Sequence, residues 1–204
     1  MPRKTDKRIR LIEAAKVLIH QQGFNLTTLA DIAQEADVPL GNVYYYFKTK
    51  EAIGIAVIER RASEWSELLA NWAQMSDPLV RLQAWMQQGL VDIDVIARYG
   101  CPTGGLCQEL GKQGGSLADL AAKLLHDVLQ WTEQQFRELN FGEKSIDMAL
   151  YLVSSMQGIY LLTHTFKDPK LAMRQTKMMQ EWLESVVGRK FSTLKVTEEA
   201  AFIS

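Results

Sequence analysis

The chain has 204 residues, of which 47 % are hydrophobic and 23 % charged, with a formal net charge of −1. That balance fits one or two compact soluble units with a sizeable core and excludes a chain that is disordered throughout. Cys101 and Cys107 are the only cysteines, too few for a disulfide framework, so a reducing cytoplasm is the expected compartment.

The N-terminus, MPRKTDKRIR, leads into an amphipathic pattern, which is not how a signal peptide reads. No apolar run appears long enough to span a membrane, so no membrane partner is expected. Arg3, Lys4, Lys7, Arg8 and Arg10 cluster there against Asp6. They form either a basic arm for phosphates or a solvated terminus. The near-zero net charge does not decide between the two.

In chain order, helical spacing of Ile12, Ala15 and Ile19 predicts a first helix over about Asp6 to Gln22. Gly23 ends it, and Phe24 folds back on its apolar face. Thr28 stands three residues before Asp31, a capping-box start for a second helix to about Ala36. Asp37 to Pro39 form a tight turn. A third helix runs from about Leu40 to Phe47, with Val43 and Phe47 inward. Two short helices joined this way form a helix-turn-helix.

A long helix from Glu51 to about Met75 follows, and Asp77-Pro78 restarts the pattern as N-cap and first residue. That helix carries Leu82, Trp85, Met86, Ile93 and Ile96 and stops before Tyr99. YGCPTGG is the clearest break. A short helix is expected over Leu106 to Leu110, and another from Ser116 to about Leu139. Ser145 to about Thr165 is apolar almost all round, so it is expected to be buried on more than one side. A second Asp-Pro, at Asp168-Pro169, opens the last helix, to about Val187. The class is all-α. Expected domains are 1–50, the helix-turn-helix; 51–189, a helical body; and 190–204, a tail.

The residues Thr28, Ile32-Ala33, Ala36, Val38, Gly41, Tyr44, Tyr46-Phe47 and Lys50-Glu51, at these spacings, closely resemble the signature of the TetR family of bacterial transcriptional regulators. Leu11 to Ala15 and Gly23-Phe24 match that family's first helix. The likeness covers about residues 8 to 53. Asp37 stands where the family usually has Gly, and Asp tolerates the left-handed conformation. Pro39 replaces the commoner Ser or Thr, which removes a hydroxyl. Gly100-Cys101, Gly104, Leu106 and Glu109 look like a motif of one subgroup, some of whose members respond to reactive small molecules through a cysteine.

The resemblance implies that the third helix enters the DNA major groove. Asn42 has the donor and acceptor for adenine, and Leu40 the surface for a thymine methyl. Gly41 permits close backbone approach. Thr28 offers a hydroxyl and a backbone N–H to phosphate. Tyr44, Tyr46 and Lys50 are further phosphate donors, and Tyr45 reaches base or backbone. One such unit makes few base contacts. Two, spaced by about one helical turn of roughly 34–36 Å or more, read a palindrome. A homodimer is therefore expected, built on the last two helices, with Ser154, Gly158, Leu162, Met178 and Trp182 at the interface.

The middle helices are expected to enclose a neutral or weakly polar small-molecule effector, with Trp65, Trp72, Trp85, Met86, Cys101, Leu110, Leu124, Trp131, Met156 and Tyr160 as walls. Each of these also fits a plain core role. A ligand that favours one position of the long helix from Glu51 would change the separation of the two recognition helices. Cys101, near a helix N-terminus, reads either as an oxidant or electrophile sensor with Cys107 as its resolving thiol, or as one of two inert thiols. His20, His126 and His164 are scattered, and no metal, cofactor or catalytic motif occurs. Glu109 reads as a helix cap or a pocket acceptor. The sequence thus points to a non-enzymatic, ligand-responsive DNA-binding repressor. The readings set beside it are a cysteine-based sensor and a helical enzyme or small-molecule carrier.

Overall fold

The computed structural model describes residues 4–188, and the expected tail at 190–204, Arg3 and the side chain of Lys4 lie outside that description. The described residues form ten α-helices: α1 Lys4–Gln22, α2 Leu29–Glu35, α3 Leu40–Tyr46, α4 Lys50–Trp72, α5 Pro78–Val91, α6 Ile93–Tyr99, α7 Pro102–Gln113, α8 Ser116–Glu138, α9 Ser145–Phe166 and α10 Pro169–Val187. A 3₁₀ turn at Gly142–Lys144 precedes α9. No strand occurs among the described residues.

The chain divides into two compact units. One comprises residues 1–69 and 99–127, the other residues 70–98 and 128–204, so the divisions fall inside α4, at the last residue of α6 and inside α8. This grouping differs from a boundary at residue 50. The reason is apolar: Leu106 and Leu110 of α7 and Ala121 and Leu124 of α8 are buried in one core with Leu11, Ala15 and Val57.

In the first unit, the predicted stripe of α1 is buried, with Ile12, Ala15 and Ile19 at most 7 % exposed. Gly23 turns the chain at φ +89°, a conformation that disfavours a side chain. Phe24 then enters the core. Gly54 of α4 makes room for it: a Cβ there would stand 2.8 Å from the Phe24 ring. Polar side chains also tie α1 to α4. Glu13 pairs with Lys16 and Arg60, and Lys16 reaches Glu64. Burial alone would raise the Glu13 carboxyl, but hydrogen bonds from Lys16 and Arg60 overcome it and hold its pKa below the usual value.

Two sequence expectations are corrected by local chemistry. The segment before Tyr99 is two helices, because Asp92 leaves helical geometry at φ −109°, ψ 37°. The Gly-rich break is shorter than expected, and α7 starts at Pro102 rather than Leu106. Pro102 fits the first helical position, and the Cys101 sulfur accepts from the Gly104 N–H at 3.3 Å. Gly104 and Gly105 each disfavour helix by about 1 kcal/mol. Burial of Leu106 and Leu110 offsets that.

In the second unit, Asp77 and Asp168 cap α5 and α10 as expected, each accepting a backbone N–H. Arg81 bonds Gln135 at 3.1 Å and Glu138 at 2.8 Å, fixing α5 to α8. The α9 segment, residues 142–166, is long and apolar enough to cross a membrane by length and composition alone, a test that the core helix of a folded domain also passes. Its apolar content goes partly into packing, since Ala149, Leu152 and Met156 are fully buried. Gly89 of α5 makes room for α9: a Cβ there would lie 1.7 Å from the Tyr160 hydroxyl oxygen.

Candidate nucleic-acid interface

The helix-turn-helix is held by side chains that satisfy its backbone. Thr28 caps α2, its Oγ1 accepting from the Asp31 N–H at 3.1 Å. Asp31 Oδ2 in turn accepts from the Thr28 N–H at 2.9 Å and the Thr28 hydroxyl at 2.7 Å. This reciprocal box satisfies donors that a helix start otherwise leaves open. The Thr28 hydroxyl first, and its N–H second, hold the Asp31 carboxyl below its ordinary pKa. Both groups expected to face phosphate are therefore engaged with Asp31 in this state.

The turn adopts the left-handed conformation expected at Asp37, with φ 50°. Arg10 locks it. Its guanidinium donates to the Ala36 carbonyl, to the Asp37 carbonyl at 2.7 Å and to the Asp37 carboxylate at 3.3 Å. Arg10 is thus bound up in the turn, while Arg8 lies over the Phe47 ring at 5.4 Å.

On α3, Pro39 occupies the N-cap position without a capping side chain. Val43 and Phe47 are buried, as the spacing predicts. Leu40, Gly41, Tyr44 and Tyr45 occupy one exposed face, with Tyr45 the most exposed at 64 %. A Cβ at Gly41 would meet nothing within 4 Å. Asn42 and Tyr46 flank this face and are half-buried, Tyr46 edge-on to Tyr45 at 5.0 Å. Lys50 donates to the Asn25 carbonyl at 2.7 Å, and its ammonium sits 4.7 Å from the centre of the Phe24 ring. Its charge lies beside the loop from α1 to α2.

Three positioning residues were not legible as such: Arg10, Gly54 and Glu109. Glu109 Oε2 accepts from the Phe24 N–H at 2.7 Å and Oε1 from the Asn25 N–H at 2.8 Å. The acceptor role expected for Glu109 is there, but it serves the helix-turn-helix rather than a pocket. No local spacing reveals a contact between residues 85 apart.

The expected effector residues divide between the units. In the first, Trp65 is half-buried, Cys101 caps α7, and Leu110 and Leu124 are core members. In the second, Trp131 packs on Trp72 at 5.4 Å and on Trp85 at 6.4 Å. Met86 and Met156 are fully buried there, and Tyr160 nearly so. Clefts of about 280 and 460 Å³ lie beside α1, lined by Arg10, Val17 and Glu35 and by Arg8, Ile9 and Glu59 among others. Neither is lined by an expected effector residue.

Cys107 donates its S–H to the Ala121 carbonyl at 3.1 Å. Burial, reinforced by Cys101, pushes its thiol up to about 11. It is therefore protonated at neutral pH, unsuited to a thiolate role.

Of the expected dimer residues, Ser154, Leu162 and Met178 are exposed. Gly158 would meet nothing with an added Cβ. Trp182 stacks at a tilt on Tyr151, 4.6 Å away.

Residues 11–57 match the family model described as bacterial regulatory proteins, tetR family. Over 184 residues the chain is 24 % identical to an uncharacterized HTH-type transcriptional regulator in the lacX 3′ region of Lactococcus lactis, covering 87 % of this chain and 93 % of that one. It is 29 % identical over 116 residues to the HTH-type transcriptional repressor NemR of Escherichia coli, covering 56 % of this chain and 57 % of NemR. A TetR transcriptional regulator from Legionella pneumophila superposes with a TM-score of 0.79 at 19 % identity, over 89 % of this chain and 98 % of that one.

Proposed function

The chain belongs to the TetR family of bacterial regulatory proteins, and we propose that it is a cytoplasmic, homodimeric repressor released from a palindromic DNA operator by a small molecule. The observation that carries this reading is the build of α3. Val43 and Phe47 anchor it, Arg10 fixes the turn before it, and Leu40, Gly41, Tyr44 and Tyr45 stand outward. A rigid helix with a small, exposed outer face suits the major groove. Asn42 and Leu40 read base edges, Tyr44, Tyr45 and Tyr46 bond phosphates, and Thr28 and Lys50 do so after exchanging their present partners.

Exposed apolar side chains on α9 and α10 provide the surface through which two copies hold their α3 helices at a fixed spacing. The Trp72, Trp85 and Trp131 cluster is the favoured wall for a neutral or weakly polar effector. Such an effector lowers operator affinity only by its differential affinity for the two states of the protein.

Fluorescence anisotropy with DNA from upstream of its own gene tests the reading. Binding to one palindromic segment should weaken with salt, with a log–log slope of roughly −0.9 per phosphate neutralised. Equal affinity for all sequences, or none, would leave a carrier or enzyme as the better reading.

Cys101 at the α7 N-cap supports a second reading, a thiol sensor acting on the same DNA interface. Cys107, as a protonated buried thiol, does not support the resolving role. Release from DNA by electrophiles in the wild type but not in Cys101→Ser would establish the sensor; release in both would remove it.

A further inference from the structure

Glu109 belongs to α7, yet both its carboxylate oxygens are spent on the loop that enters the helix-turn-helix. The loop is held from its other side by Lys50 of α4, which donates to the Asn25 carbonyl. Gly23 is part of the same arrangement, because a Cβ there would stand 2.9 Å from Glu109 Oε2. A second grip lies just before α7, where a His20 ring nitrogen is 2.8 Å from the Gly100 carbonyl oxygen. Beyond Asn25 the path to α2 is short: the Thr27 hydroxyl donates back to the Gly23 carbonyl at 2.7 Å, and Thr28 is the α2 cap.

We propose that Glu109 is a positioning residue through which α7 sets the placement of α2 and α3. This rests on the DNA-binding reading above and adds to it a route that reaches the recognition helix through the α1–α2 loop rather than through α4. Two charge-assisted bonds from one carboxylate to adjacent amides are short and directional. A displacement of α7 therefore either carries Phe24 and Asn25 with it or breaks the pair, and these are two discrete arrangements rather than a continuum. Whatever alters the start of α7, where Cys101 caps the helix, is felt at the α2 cap through Glu109.

The test uses Glu109→Gln in the full chain. It keeps the side chain's size and one acceptor but turns an NH₂ toward the other amide. Amide hydrogen exchange at Phe24 and Asn25 should quicken by about tenfold, the equivalent of one such bond. Exchange in α9 and α10 should not change, and the melting temperature should fall by only about 3–6 °C, the loss of one such bond. Operator affinity should fall by about five- to tenfold with the salt slope unchanged, since the phosphate contacts are the same in number. Glu109→Asp, which keeps both acceptors on a shorter stem, should lie between.

Cys101→Ala removes the α7 cap. It should quicken exchange at Phe24 and Asn25 in the wild type and add nothing in Glu109→Gln, the non-additivity of residues on one path. Unchanged exchange at these amides in Glu109→Gln overturns the proposal. So does faster exchange with wild-type operator affinity, or a uniform loss of protection, α9 and α10 included, with a larger fall in melting temperature. A wild type that binds no specific DNA defeats the DNA-binding reading instead, and the exchange experiments on the free protein still decide whether α7 acts through Glu109.

Discussion

Both α3 and the α9–α10 pair present large side chains to solvent, but of different kinds. The exposed aromatic residues of α3, Tyr44 and Tyr45, carry hydroxyls, and Gly41 leaves a gap beside them. On α9 and α10 the exposed large hydrophobic side chains are Leu150, Tyr151, Leu161, Leu162, Phe166, Met173, Met178 and Val186, aliphatic or thioether for the most part, with a hydroxyl on Tyr151. Phe166 alone is 62 % exposed. A phosphate backbone suits the first surface and offers little to the second, which another apolar surface covers better. The two exposures thus fit the two partners proposed above, a nucleic acid and a second copy of the chain.

The largest effect is expected where that contrast is erased. Replacing Leu162 and Met178 together by Glu puts charge on the α9–α10 surface without touching α3. Sedimentation at micromolar concentration should show a monomer. Operator affinity should fall by at least about 100-fold, because half-sites then bind singly. A double variant that stays dimeric would break the comparison at its apolar end.

Asn42→Ala tests the other end. Its loss should reduce discrimination between the operator and single-base variants by about 1–3 kcal/mol per half-site. Oligomeric state and salt slope should stay as in the wild type. A uniform loss of affinity on every sequence would mean that Asn42 positions the protein rather than reads a base.

How far these surfaces were legible in the sequence follows from the range of the interactions. The inward positions of α1 and α3 came from helical spacing, the Thr28 cap from local chemistry, and the left-handed Asp37 from the resemblance to a family that usually has Gly there. The family resemblance supplied the role of α3. Contacts between residues far apart in sequence left no local trace. Lys50 was expected to offer its charge to phosphate, and its bond to the Asn25 carbonyl left no trace in local spacing. Glu109 read as a helix cap or a pocket acceptor and holds two loop amides. At α7 the glycines misled, because the Cys101–Pro102 start and the burial of Leu106 outweigh the low helix propensity of Gly104 and Gly105.

Glycines sharpen the comparison at intermediate magnitude. Gly23→Ala meets both a left-handed backbone and the Glu109 carboxylate, so a loss of about 1–3 kcal/mol is expected. In a chain of this size that lowers the melting temperature by about 2–4 °C per kcal/mol. Gly158→Ala on α9 meets nothing within the chain. In a monomer it should stabilise the helix by up to about 1 kcal/mol. A loss of dimer affinity instead would place Gly158 where two copies approach closely.

The smallest effect separates the two regions by pH. The Asp31 carboxyl is held below its ordinary value of 3.8 by the Thr28 hydroxyl and then by the Thr28 N–H. A carboxyl whose folded pKa lies below its unfolded one favours folding above the unfolded value, and that contribution disappears as pH falls through the folded pKa. The wild type should therefore be more stable than Asp31→Asn at about pH 5, with the gap closing as pH falls below about 4. Urea unfolding at several pH values, alongside amide exchange in α2, measures it. Exchange in α9 and α10 should be the same in both proteins, because the capping box belongs to α2. A gap that persists unchanged into acid would mean that the side chain at residue 31 acts by its shape, with the Thr28 hydroxyl left available to phosphate.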